Sequence, residues 1–190
     1  MKKLASILLT VALSTTMFVS CNAGGQNREF TATLTGVDVI QVGMTIDNIP
    51  TSVRGLYDEF TVEQVLHEYF GEYFTQTQVR FLLSGETVMM ANLSGNEIWS
   101  ITVFGTNIAS VNGITPGTPI QTFLERGGRG VMLDDDWRFA MIIDGVEYQV
   151  EKNSSGMAKR EEAWFTGVLP EITLDDFDEG ATVISFTIVP

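Results

Sequence analysis

The chain has 190 residues, enough for one domain with a sizeable core or two very small ones packed together. A hydrophobic content of 44% with 18% charged residues excludes a disordered, collagen-like or coiled-coil chain, and 24 acidic against 11 basic residues, a net charge of −13, oppose binding to nucleic acid or anionic lipid through phosphate neutralisation. One cysteine and one histidine leave no internal disulfide, no Cys/His zinc set and no mechanism that needs two histidines.

Lys2 and Lys3 open the chain, and an acid-free apolar run follows over residues 4–19, interrupted by Ser6, Thr10, Ser14, Thr15 and Thr16. That pattern is a signal-peptide core rather than a span of ~20 apolar residues. It closes Phe18-Val19-Ser20-Cys21, which resembles the lipobox of bacterial lipoproteins, with Phe18 where Leu is usual. The resemblance implies removal of residues 1–20 and lipidation of Cys21, which accounts for a lone cysteine in an oxidising compartment. Cys21-Asn22-Ala23 also suits a soluble-protein signal peptidase, so soluble secretion is the alternative. Asn22 resembles the residue that favours outer-membrane sorting, and the lack of an acidic run after Cys21 points to a periplasm-facing protein. The mature chain keeps nine basic against 24 acidic residues, a net charge of −15, and residues 21–28, with Gly24 and Gly25, read as a flexible tether.

Period-two alternation of Phe30, Ala32 and Leu34 with threonines predicts a strand that continues past Gly36 to Val37, Val39 and Ile40. Residues 61–70 fit two patterns: Val62, Val65, Leu66, Tyr69 and Phe70 have helical spacing with a Thr61/Gln64 capping box, while their β-branched and aromatic content suits a strand. Residues 73–81, 87–91 and 98–104 read as a β-meander turned at Ser84-Gly85 and Ser94-Gly95-Asn96. Thr118 as N-cap, Pro119 at the first position, Gln121 as the returning cap and Gly127 as a stop predict a helix over 119–126. Gly127-Gly128-Arg129-Gly130 lacks the spacing of a phosphate loop and reads as a turn. Strands are expected at 138–143, 146–150, across an Asp144-Gly145 turn, and 182–189.

A shift of 74 residues superimposes 40–49 on 114–123, with Ile, Gly and Ile coinciding at 40/114, 43/117 and 46/120. The expected fold is a β-rich α+β domain of antiparallel sheets with one or two short helices. Two tandem helix-plus-sheet units, residues 29–112 and 113–190, compete there with chance similarity of turn grammar, and the halves are also compatible with one compact domain. The Gly43-Met44-Thr45 turn, Gly55-Leu56-Tyr57-Asp58, the 112–117 segment and Leu174-Asp175-Asp176-Phe177 resemble small, functionally uncharacterised cell-envelope lipoproteins of the Bacteroidota type. That resemblance implies no catalytic residues.

His67-Glu68 begins like a zinc-protease signature, but Gly71 stands where the second histidine belongs, leaving His67 as a lone candidate base or a packed residue. Asp134, Asp136, Asp176 and Asp178 are candidate calcium ligands; an EF-hand is excluded because Phe177 and Phe186 fall where oxygens are required. Tyr69, Tyr73, Trp99, Trp137 and Trp164 are candidate ligand-contact residues if exposed and core if buried. No catalytic residue and no cofactor are assigned. The expected function is a non-catalytic binding or structural module in the envelope, held at the membrane by its lipid, with an envelope protein or glycan as partner. The alternative is a glycan hydrolase using two carboxylates.

Overall fold

The computed structural model describes residues 30–51, 56–69, 71–133, 138–151, 166, 168 and 171–189. The segments expected to be a signal and a tether, with Cys21, lie outside these.

The principal element is one antiparallel sheet of eight strands. Four come from the first half: β4 (Glu59–Tyr69), β5 (Glu72–Leu83), β6 (Glu86–Ser94) and β7 (Glu97–Val103). Four come from the second: β9 (Arg129–Leu133), β10 (Arg138–Ile143), β11 (Val146–Val150) and β12 (Val183–Ile188). The order is β4-β5-β6-β7-β12-β11-β10-β9, so each half is a meander and the two meet through their last strands, with Phe186 opposite Val103 and Ile188 opposite Ile101. The two-residue turns form where left-handed backbone is available: Ser84 and Gly85 have φ of 54° and 80°, Asp144 and Gly145 of 46° and 85°. That sign at both positions matches the twist of the flanking strands.

One face of the sheet carries the core. Val79, Phe81, Met89, Ala91, Ile101, Val103, Phe186 and Tyr148 alternate inward along neighbouring strands and are buried. Helix α1 (Ile120–Glu125) buries Ile120 and Phe123 in the same cluster, and Ile49 joins it, with Ile46 packed at its margin. The chain is therefore β-rich with very little helix. Among the described residues no helix is long and apolar enough to cross a membrane.

Two local expectations need correcting. Residues 30–40 do not form one strand: β1 (Phe30–Thr31) pairs in parallel with β8 (Ile108–Ala109), and the chain then doubles back through β2 (Gly36–Val37) and β3 (Ile40–Gln41). The cause lies in the threonines, whose alternation suggested a strand: Thr33 Oγ1 accepts the N–H groups of Thr35 and Gly36, a local turn that competes with extension. The glycine-rich segment at 127–130 is a turn only at its start, since Arg129 and Gly130 already pair with Ile142 and Met141 in β9.

The helical starts in the two halves are latched to their sheets alike. Gly43 N–H donates to Ile98 O (2.7 Å), Ile98 N–H to Met44 O (2.9 Å) and Ile46 N–H to Asn96 O (3.0 Å), ahead of a single 3-10 turn at Ile46–Asn48. Gly117 N–H donates to Val183 O (2.7 Å), Val183 N–H to Thr118 O (2.9 Å) and Ile120 N–H to Ala181 O (3.0 Å), ahead of α1.

Candidate functional site

Residues 61–70, open between helix and strand in the sequence, belong to β4 as far as Tyr69, and β4 with β5 carries a group of exposed large side chains. All eleven of its residues pair with β5 without a register shift. β6, in contrast, pairs with β5 only from Thr77 onward, so Glu72, Tyr73, Phe74, Thr75 and Gln76 have β4 as their only described ladder partner. At ~3.4 Å per residue, the β4–β5 ribbon runs on about 17 Å past the last pairing with β6, its described neighbour.

The root of this arm is fixed, and beyond it several large side chains stay exposed. At the root Phe60 and Tyr57 both meet the buried Phe81 ring edge-on, at 5.2 and 5.0 Å between centroids, and Tyr57 stacks on Phe30 at 5.6 Å. Farther out, Leu66 is 62% exposed and Tyr73 66%, both on the face continuous with the core side of the sheet. On the opposite face Phe74, 50% exposed, stacks on His67 directly across the ribbon, with centroids 5.2 Å apart. Burying such apolar surface is worth about 25 cal/mol per Å², so an arm that keeps it in water is suited to contact.

Electrostatically the arm is acidic, with Glu59, Glu63, Glu68 and Glu72 against Arg80 alone. Arg80 Nε lies 2.6 Å from Glu63 Oε1. Tyr73 faces Glu68 across the strands, and a hydrogen bond to that carboxylate, together with its charge, raises the tyrosine hydroxyl above its ordinary value of 10.0. His67 is held by its stacking on Phe74, and its Nε2 is enclosed without a hydrogen-bond partner among the described residues. Among the described residues no carboxylate is hydrogen-bonded to the ring.

Of the other candidates, Tyr69 ends β4, and Trp99 stands 43% exposed on β7, with β6 between it and the arm strand that carries Tyr73. Trp137, Trp164, Asp134 and Asp136 lie outside the described residues. Asp176 is buried and serves the 3-10 turn Leu174–Asp176: its Oδ2 accepts from Thr173 N–H at 2.7 Å and from the Thr173 hydroxyl at 3.2 Å. Asp178 lines an open groove of about 680 Å³ with Glu151, Glu179 and Ile184. There Glu151 Oε2 accepts the Thr182 N–H at 2.6 Å, clamping the entry to β12. Among the described residues no three acidic, histidine or cysteine side chains converge as a metal site would require.

Of the arm's residues the sequence singled out Tyr69 and Tyr73 as candidate contacts, but not Leu66 or Phe74, which carry no motif. The signal behind those two is the repeated Glu-Tyr-Phe at 68–70 and 72–74, large rings beside charge.

No known family model and no curated protein matches the chain. In three dimensions it resembles the crystal structure of the uncharacterised protein yfeY from Escherichia coli, with a TM-score of 0.53 and 16% identity over 84% of this chain and 99% of that one. At that identity the likeness concerns the fold alone.

Proposed function

We propose that this protein is an exported lipoprotein, anchored through Cys21 at the outer membrane and facing the periplasm, whose domain binds an envelope partner through the β4–β5 arm and turns over no substrate. The observation that carries the reading is the exposure of Leu66, Tyr73 and Phe74 on a ribbon that runs on past its pairing with β6. The signal-like N-terminus and the lone cysteine support the address. The matching latches at Gly43–Ile46 and Gly117–Ile120, 74 residues apart, support a further element of the reading, that the chain is two fused copies of one helix-plus-meander unit.

The test places a photo-crosslinking amino acid at position 73 or 66 of the full chain in its native envelope, with position 84 as a control at the opposite end of β5. A discrete crosslinked product from 73 and 66, absent from 84, is expected, and Cys21→Ala should release the protein from the membrane pellet. Equal labelling at all three positions, or turnover of a glycan, peptide or ester by the purified chain, would overturn the reading.

A further inference from the structure

The short strands that cover the core side of the main sheet differ in composition from the rest of the chain. Residues 30–46 carry one charge, Asp38, and residues 98–124 carry none, in a chain with 24 acidic and 11 basic residues. The two stretches lie together: β1 pairs with β8, and Ala32 N–H extends the contact to Ala109 O at 2.9 Å. Phe30, Val37, Ile40, Ile108 and Ile114 turn inward and join the buried core.

Because β1 and β8 run parallel, the chain leaves both at the same end, and there stand Leu34 and Val111, 54% and 53% exposed. Each sits in a closed turn. Thr33 N–H donates to Gly36 O at 2.7 Å around Leu34, and Gly113 N–H donates to Ser110 O at 2.8 Å around Val111. Arg126 Nη1 donates to Asn112 O and Gly113 O at 3.0 Å each, which sets a cation beside Val111; the acids on the adjoining turns are Asp38 and Asp144.

Aliphatic side chains held outward on uncharged turns mark a contact surface, and two facts select a bilayer as what it meets. The first is charge. The exposed rings of the arm stand among Glu59, Glu63, Glu68 and Glu72, which an anionic leaflet repels, whereas the segments bearing Leu34 and Val111 add only Asp38. The second is reach. Phe30 is nine residues past Cys21, a span of at most about 32 Å extended and about 17 Å as a flexible coil. A tether that short gives a millimolar effective concentration over the leaflet, so a contact too weak to recruit a free protein is still populated.

We propose that the turn tips at Leu34 and Val111 rest in the headgroup region of a phospholipid bilayer and so fix which side of the domain faces the membrane. The assignment rests on the Cys21 anchor and adds the surface that the anchored domain lays down. The contact is apolar, so it should persist in high salt, unlike one built on phosphate neutralisation.

The test uses the full chain, matured in the cell and reconstituted through its own lipid into vesicles of phosphatidylethanolamine and phosphatidylglycerol, with an environment-sensitive fluorescent amino acid at position 34, 111, 73 or 84. Phospholipid brominated near the top of its acyl chains should quench positions 34 and 111 and leave 73 and 84 bright. Leu34→Asp should restore the emission from position 111, and Val111→Asp that from 34, by about twofold or more. Both positions are exposed, so neither substitution removes a buried side chain. Bright emission from 34 and 111, equal quenching at all four positions, or quenching indifferent to the aspartates overturns the assignment. If Cys21 carries no lipid, the chain washes off the vesicles; coupling Cys21 to a maleimide phospholipid then repeats the measurement, so failure of the anchor reading is distinguishable from failure of the contact.

Discussion

Tyr148 donates its hydroxyl proton to Ser110 Oγ at 2.8 Å in the interior, joining residues 38 apart in sequence, β11 to the loop after β8. Ser110 Oγ also accepts the Ile114 N–H at 3.2 Å, and Asn112 Nδ2 donates to Ile143 O at 3.1 Å. Tyr148→Phe removes that bond and the longer one that Asn112 Nδ2 donates to the Tyr148 hydroxyl at 3.5 Å, but leaves Ser110 an acceptor in use. It should cost about 1–2 kcal/mol, read as a lower denaturation midpoint at unchanged m-value.

Burial raises the Tyr148 hydroxyl above its ordinary value of 10.0, more than the Ser110 and Asn112 hydrogen bonds lower it, and Asp144 adds to the rise. The folded chain thus holds this proton more tightly than the unfolded one. The stability contributed is complete below about pH 10 and lost as pH rises through the raised value. Denaturant midpoints measured from about pH 9 to about pH 11 should fall more steeply for the wild type than for Tyr148→Phe.

The threonine that introduces α1 works differently from its expected role. Thr118 Oγ1 accepts the Thr115 N–H at 3.1 Å, closing the turn before the helix, while Gln121 reaches forward to Glu125 rather than back to a cap. Thr118→Ala should cost about 1 kcal/mol and Thr118→Ser much less. Equal midpoints for the two would remove the turn's role.

Much of the meander was legible because its signals are local. The Ser84-Gly85 and Asp144-Gly145 turns announce their backbone conformation, and β10 and β11 occupy the stretches predicted for them. Residues 61–70 resisted because Val65 and Leu66 are adjacent apolar residues on opposite faces of β4, one half-buried and one exposed, so the apolar pattern does not alternate although the burial does. β9 was hidden because an edge strand tolerates glycines, and Gly130 pairs with Met141. The site was less legible still, since how far a ribbon projects depends on where β6 stops pairing, a tertiary fact.

Gly128 should tolerate no side chain. A Cβ there would lie 2.2 Å from Phe123 Cε1 and 2.3 Å from Cδ1, against a fully buried ring packed edge-on to Tyr148 at 5.1 Å. Gly128→Ala should cost about 3 kcal/mol. Gly145, with φ of 85° and open space around the added carbon, should lose about 1–2 kcal/mol from backbone strain alone. The order of their melting temperatures checks both.

Asp176 should behave as a structural acceptor. Asp176→Ala strips the Thr173 N–H of its partner inside the protein and should cost about 2 kcal/mol, while Asp176→Asn, which keeps an oxygen, should lose about half of that. A wild-type melting temperature that rises on adding calcium, and no longer does so in Asp176→Asn, would instead return this carboxylate to the metal-binding reading.

The meeting of the two meanders at β7 and β12 sets an order of assembly. β12 is synthesised after every other strand described, yet it occupies the middle of the sheet. Until it arrives, a growing chain carries two half-sheets, each with an open flank that should be the last to close and a natural place for a chaperone to hold. A chain cut before Val183 would then be two unsealed halves rather than a slightly smaller version of the same protein, a form for proteases to clear.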